Sequence, residues 1–173
     1  MEQQVRLILA GPCGVGKSTV ARLLSERLDI PHLDFDQYRS TSSDRACSIN
    51  YLDLSRCLES FLDLHERGLV IDIGGDTVFR FARRDNASRL AQLEMLKRER
   101  RFEVVVLDAR RRLLRSRFLD CKSRTAAEFL GPWLEWRIVG RRWWGKCADR
   151  WVDTSPASIG EAQQMEWLID KEA

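Results

Sequence analysis

The residues Gly11-Pro12-Cys13-Gly14-Val15-Gly16-Lys17-Ser18 fit the pattern G-x-x-x-x-G-K-[ST], and Thr19 follows them. Each required type answers a chemical need. Glycines allow the backbone angles that turn successive N–H groups inward, which makes a nest for phosphate oxygens. The Lys17 ammonium suits the β- and γ-phosphates of a nucleotide, and the Ser18 hydroxyl suits magnesium. A helix expected from Lys17 onward adds its positive dipole end. Gly11, Cys13, Gly14, Val15, Gly16, Lys17, Ser18 and Thr19 are therefore the candidate nucleotide-binding residues, with Lys17 also catalytic and Ser18 also a metal ligand. Cys13 reads as a small residue tolerated in the loop rather than a redox centre.

Phosphoryl transfer also needs a carboxylate near the metal or the attacking hydroxyl. Leu33-Asp34-Phe35-Asp36 supplies two. In an extended segment, side chains at i and i+2 point the same way, so both carboxylates would face one cleft. One would act near magnesium through water, and the other would take or orient the acceptor hydroxyl. The alternative is a pair of helix-capping residues before Gln37-Tyr38-Arg39. Farther on, Asp72-Ile73-Gly74-Gly75-Asp76 ends an apolar run with two glycines. Glycines at the carboxyl end of a strand let backbone N–H groups approach a ligand, and open α/β sheets bind ligands at that edge. A plain tight turn would use the same residues. Asp72 and Asp76 are secondary candidates there, Asp72 as a strand-borne magnesium carboxylate.

These groups must be held by alternating elements. Val5 to Ala10 reads as a buried strand, and Val20, Leu23, Leu24 and Leu28 give Lys17–Leu28 helical spacing. Pro31 keeps Ile30–Asp34 extended. Leu54, Leu58, Phe61, Leu62 and His65 mark a helix face closed by Gly68, and Leu69–Ile73 is a strand. A polar helix is expected over about 86–100, a strand over Val104–Leu107 and an arginine-rich helix over Arg110–Phe118. A lid plus helix would follow through 121–146, then a short strand at Trp151-Val152 and a helix over 158–170. Continuous apolar strands alternating with helices argue for a parallel sheet covered on both faces.

A length of 173 residues, 44% hydrophobic and 32% charged, suits one globular domain. No apolar run approaches the roughly 20 residues that span a bilayer, so no membrane partner is expected. A glycine-rich loop follows the first apolar stretch where a signal peptide would carry a cleavage site. The five cysteines (Cys13, Cys47, Cys57, Cys121 and Cys147) form no C-x-x-C pair, which fits a reducing cytoplasm. Fifteen Lys/Arg face six Asp/Glu within 80–124, a local excess of +9 in a chain of net +3. A solvated helical surface, a phosphate-facing lid and a nucleic-acid patch are all compatible with it. Arg110-Arg111-Arg112 cannot all face one cleft on a helix, because neighbours sit about 100° apart. Trp133 and Trp136 share a helix face, as core, stacking surface or interface.

Taken in order, GPCGVGKST, LDFD, the glycine pair of VIDIGGD and CADRWVDTS resemble the shikimate kinase-like group of small P-loop kinases, over nearly the whole chain. The resemblance implies a three-layer α/β P-loop NTPase fold. It carries a parallel five-stranded sheet of order 2-3-1-4-5, helices on both faces and a lid at approximately 115–135, all within a single domain spanning 1–173. It also implies ATP and Mg2+, with Ser18 as magnesium ligand, Asp34 as its water-mediated partner and Asp36 as the grip on acceptor hydroxyls. Gly74 and Gly75 would contact the acceptor, Arg115 or Arg117 the nucleotide, and Thr154-Ser155-Pro156 the adenine. The chain departs from the family in several places. The third glycine is Asp76, Arg56 stands in for one acceptor arginine, and the second falls near Gly140 with Arg141 adjacent. Arg124-Thr125-Ala126-Ala127-Glu128-Phe129-Leu130 replaces the Arg-Pro-Leu-Leu of the lid. These changes bear on shikimate itself and leave another hydroxylated small-molecule acceptor standing. Two alternatives remain: a nucleoside or nucleotide kinase, and a P-loop ATPase switch that binds nucleic acid or protein through 80–124. The absence of an N-K-x-D guanine motif favours ATP.

Overall fold

A computed structural model of the chain describes residues 5–41, 68–81, 84–120 and 124–155. The helix expected around Leu54–His65, the helix over 158–170 and Arg56 lie outside the described residues. Five parallel strands run β1 (Val5–Gly11), β2 (His32–Asp34), β3 (Gly68–Gly74), β4 (Glu103–Asp108) and β5 (Arg150–Asp153), and the sheet order is β2-β3-β1-β4-β5. The register is continuous, with Leu9 opposite Asp72, Asp34 opposite Asp72, and Gly11 opposite Gly74. The carboxyl ends of β1, β2 and β3 therefore come level at one edge.

Alternation along the strands divides the core in two. Leu7, Leu9, Val70, Val105 and Leu107 face α1 (Lys17–Leu28) through Val20, Ala21 and Leu24. The same layer takes Leu114 and Phe118 of α5 (Arg111–Asp120) and Phe129 of α6 (Ala126–Glu135). Ile8, Ala10, Ile71, Ile73, Val104 and Val106 face the opposite layer. That layer holds Phe79, Leu93 and Leu96, the last two from α4 (Asn86–Arg100), and Trp136, Val139 and Trp144. β3 is buried along its whole length, as a central parallel strand must be, whereas edge strand β5 alternates between half-buried and exposed residues.

Two short helices follow the strands of the acceptor side: α2 (Phe35–Thr41) and α3 (Gly75–Val78). The chain passes from α6 through a π-helical turn, Trp136–Gly140, into α7 (Arg141–Cys147) without a break. α6 begins on a capping box, in which Thr125 Oγ1 accepts from Glu128 N at 3.3 Å and Glu128 Oε2 accepts from Thr125 N at 2.6 Å. Part of the basic excess is structural. Arg89 is buried and paired with Asp85 at 2.8 Å, and Lys97 pairs with Asp149 at 2.5 Å across to the start of β5. Burial lowers the pKa of Arg89 from its ordinary value.

Candidate active site

The loop between β1 and α1 has the geometry its glycines allow. Gly14 and Gly16 hold φ of 79° and 96°, which L side chains rarely adopt, and they turn the chain so that Val15 N donates to Pro12 O at 3.3 Å. Gly16 is the N-cap of α1, and no side chain caps that end. The first-turn N–H groups are thus left for an anion. Lys17 Nζ arcs back to Pro12 O at 3.1 Å, which holds the ammonium over the loop. Ser18 and Thr19 are exposed on the first turn, Cys13 is half-buried, and Val15 is fully buried as the peg of the loop.

One wall of the loop is built by α5 and the turn after β5. A Cβ at Gly14 would sit 2.7 Å from Leu114 O, so only glycine lets α5 come this close. Thr154 is buried and its hydroxyl lies 3.3 Å from the carbonyl oxygens of both Val15 and Asp108. Arg117 reaches the same residue from α5, with Nη1 donating to Thr154 Oγ1 at 3.2 Å and Nη2 to Thr154 O at 3.3 Å. Arg115 points elsewhere: it is exposed on the α5 face that carries Arg111 and Arg112, beside Leu130 of α6. Of the two arginines weighed for the nucleotide, Arg117 alone is joined to the wall of the loop. The Asp153 carboxyl is held below its ordinary range by the Ser155 hydroxyl, then by Ser155 N, with Arg110 nearby.

The two carboxylates of the LDFD motif are placed by different means than a shared strand face. β2 stops at Asp34 and α2 starts at Phe35, so the i, i+2 argument from an extended segment does not hold. Asp34 caps α2, its Oδ1 accepting from Gln37 N at 2.9 Å, as the capping alternative required. Asp36, in the first turn of α2, reaches across to β3 and α3. Its Oδ2 accepts from Gly74 N at 3.1 Å and its Oδ1 from the Thr77 hydroxyl at 2.5 Å. Asp72 sits one layer below, 4% exposed, with Oδ2 3.6 Å from His32 Nε2 and no hydrogen bond to that oxygen among the described residues. Thr77 was missed by sequence reasoning; its only signal is a hydroxyl three residues past a glycine that ends a strand.

Tryptophans occupy the other side of the glycine pair. A Cβ at Gly75 would meet the Trp136 ring, and so would one at Gly140, which leaves the indole wedged between two glycines. Trp136 is 1% exposed, and its Nε1 donates to Asp108 Oδ1 at 3.3 Å. Trp144 is fully buried and its Nε1 donates to Gly75 O at 3.1 Å. At Gly75 the position a Cβ would take is filled by the Trp136 ring, and the carbonyl accepts from Trp144. Arg141 pairs with Asp108 Oδ2 at 3.2 Å and lies over Trp151. Asp108 went unread in the sequence, although a lone acidic residue closing the VVVL run is the same signal that marks Asp34. At the far end of this layer, burial pushes the Cys147 thiol up to about 12, so it stays protonated and inert.

No helix among the described residues is long and apolar enough to cross a membrane. A family model described as AAA domain matches residues 7–127. The shikimate kinase of Streptomyces coelicolor is 45% identical over 47 residues, 27% of this chain and 28% of that protein. The shikimate kinase of Rhodopirellula baltica is 34% identical over 88 residues, 46% of each. The chain thus spans less than half the length of these curated relatives. Among solved structures, the shikimate kinase from Acinetobacter baumannii in complex with shikimate superimposes with a TM-score of 0.66 at 21% identity, covering 97% of this chain and 94% of that one. The chain belongs to the AAA domain family, and its fold is that of the shikimate kinase-like P-loop kinases.

Proposed function

We propose that the protein transfers the γ-phosphoryl group of ATP to a hydroxyl of a small metabolite. The observation that carries this reading is the convergence of two unlike groups at one sheet edge. They are an uncapped helix N-terminus with Lys17 over its loop, and a carboxylate, Asp36, tied to the ends of β3 and α3. The fold shared with shikimate kinases and the 34% identity over 88 residues with one of them support it.

In this reading the N–H groups of Gly14 to Thr19 cradle the phosphates and Lys17 follows the charge that develops on the leaving oxygens. Arg117 and the Thr154–Ser155 turn border the adenine. Asp36 orients the acceptor hydroxyl. Its two hydrogen bonds leave lone pairs free, since a carboxylate has about four acceptor positions. The residues present fit magnesium: Ser18 is an exposed hydroxyl on the first turn, and Asp34 keeps one oxygen without a hydrogen bond among the described residues. Ser18 and, through water, Asp34 would hold it. Magnesium bound there neutralises charge on the β- and γ-phosphates. The segment 115–135 acts as the lid, with Phe118 on Phe129 at 5.5 Å coupling its two helices.

The test is ADP release with MgATP across sugars, polyols, cyclic acids and nucleosides. Stimulation by one class of hydroxylated compound is expected. Slow turnover unchanged by every class would replace this reading with that of a nucleotide-dependent switch.

A further inference from the structure

Asp36 stands in the first turn of α2, yet each of its oxygens is held by the far side of the sheet edge. Gly74 N donates to Oδ2 at 3.1 Å and the Thr77 hydroxyl donates to Oδ1 at 2.5 Å. The two donors flank the passage from β3 into α3. The Gly74 bond alone leaves the carboxylate free to rotate about Cβ–Cγ, a torsion with broad minima. A second bond on the other oxygen fixes that rotation. Thr77 is 4% exposed, so water has little access to take its place, and its β-branched side chain is stiff at χ1. The backbone that carries it is braced from the opposite side. Trp144 Nε1 donates to Gly75 O at 3.1 Å, and the Trp136 ring packs against Gly75.

We propose that Thr77 is a positioning residue for phosphoryl transfer, setting the Asp36 carboxylate so that its remaining lone pairs meet the acceptor hydroxyl; this rests on Asp36 orienting that hydroxyl, as read above. A carboxylate has about four acceptor positions, and Gly74 and Thr77 occupy two of them. The other two lie on oxygens whose direction is already fixed. Thr77 has a single hydroxyl proton, and spending it on Asp36 keeps that oxygen from turning toward α3 for another donor. A displacement of about 1 Å at a group that aligns reactants costs about a hundredfold in rate, so the orientation matters more than the bond's own strength. Thr77 is buried and acts through Asp36.

Thr77→Val removes the hydroxyl and keeps the branched shape, whereas Thr77→Ser keeps the hydroxyl. Amide hydrogen exchange read by NMR tests the coupling with no acceptor present. In Thr77→Val the Gly74 N–H should exchange about tenfold faster than in the parent, while Val70 and Ile71 of β3 keep their rates. Thr77→Ser should restore the Gly74 rate. Turnover is then measured with MgATP and glucose, glycerol, shikimate or adenosine, one probe from each class of acceptor. With the most active of these, Thr77→Val should lower kcat about tenfold to a hundredfold at unchanged KM for MgATP, and Thr77→Ser should recover most of the loss. A merely structural Thr77 would speed exchange throughout β3 and leave kcat intact; that result, or an unaltered Gly74 rate in Thr77→Val, would overturn the proposal. If Thr77→Val does not fold, Thr77→Ala carries both measurements. A parent protein stimulated by none of the four probes would strike the transfer reading, and Gly74 exchange would still decide whether Thr77 holds Asp36.

Discussion

In the proposed reading, the two halves of the site are built in opposite ways. The nucleotide half is one contiguous stretch, Gly11 to Thr19, whose geometry follows from local backbone: two glycines at positive φ and an uncapped helix start. The acceptor half has no such stretch. Asp36 of α2 meets Gly74 and Thr77, 38 and 41 residues away, and Trp144 meets Gly75 across 69. A local device can keep its form while the rest of the chain changes, whereas a device made of long-range contacts is redrawn by each substitution at a contact. That difference fits the phosphate loop's match to its motif at every fixed position, beside the departures from the resemblance at Asp76 and Gly140.

The contrast can be broken most forcefully at Trp136. Because the indole is fully packed between Gly75 and Gly140, Trp136→Ala should cost about 3–5 kcal/mol of stability. Denaturant melts would read it, and a loss below about 1 kcal/mol would mean the acceptor half does not depend on this wedge. Asp36→Asn should lower transfer roughly a hundredfold, about 2.7 kcal/mol of barrier, while MgATP binding stays intact. Single-turnover kinetics beside a nucleotide titration separate the two, and a joint loss would place Asp36 in the nucleotide half instead. The comparison sharpens within α5. Arg117→Ala should raise KM for ATP about tenfold, roughly 1.4 kcal/mol, and Arg115→Ala should leave it unchanged. Equal effects would dissolve the distinction drawn from their different surroundings.

What the sequence disclosed follows the same division. Alternating apolar runs and helical spacing were enough for the parallel sheet, and the family resemblance supplied its order, because strand burial is written in local pattern. The loop was legible to the residue. Asp34 and Asp36 were found by type, yet the helix beginning at Phe35 overturned the reason given for their alignment. The capping bond from Gln37 N shows why: a carboxylate at a strand end also starts helices. For Trp133 and Trp136 the shared helix face left core, stacking surface and interface open, and the structure buries Trp136, but nothing local says that its ring packs on Gly75, since that depends on Gly140 as well. Asp108 and Thr77 acquire meaning only through partners 28 and 41 residues away.

The central claim is that the Gly11–Thr19 loop delivers the γ-phosphoryl group of ATP, and Lys17→Ala tests it most directly. The parent protein should release ADP from MgATP faster with one class of hydroxylated acceptor, and the variant should fall at least about a hundredfold with its melting curve unchanged. A folded Lys17→Ala protein that turned over at the parent rate would contradict the account.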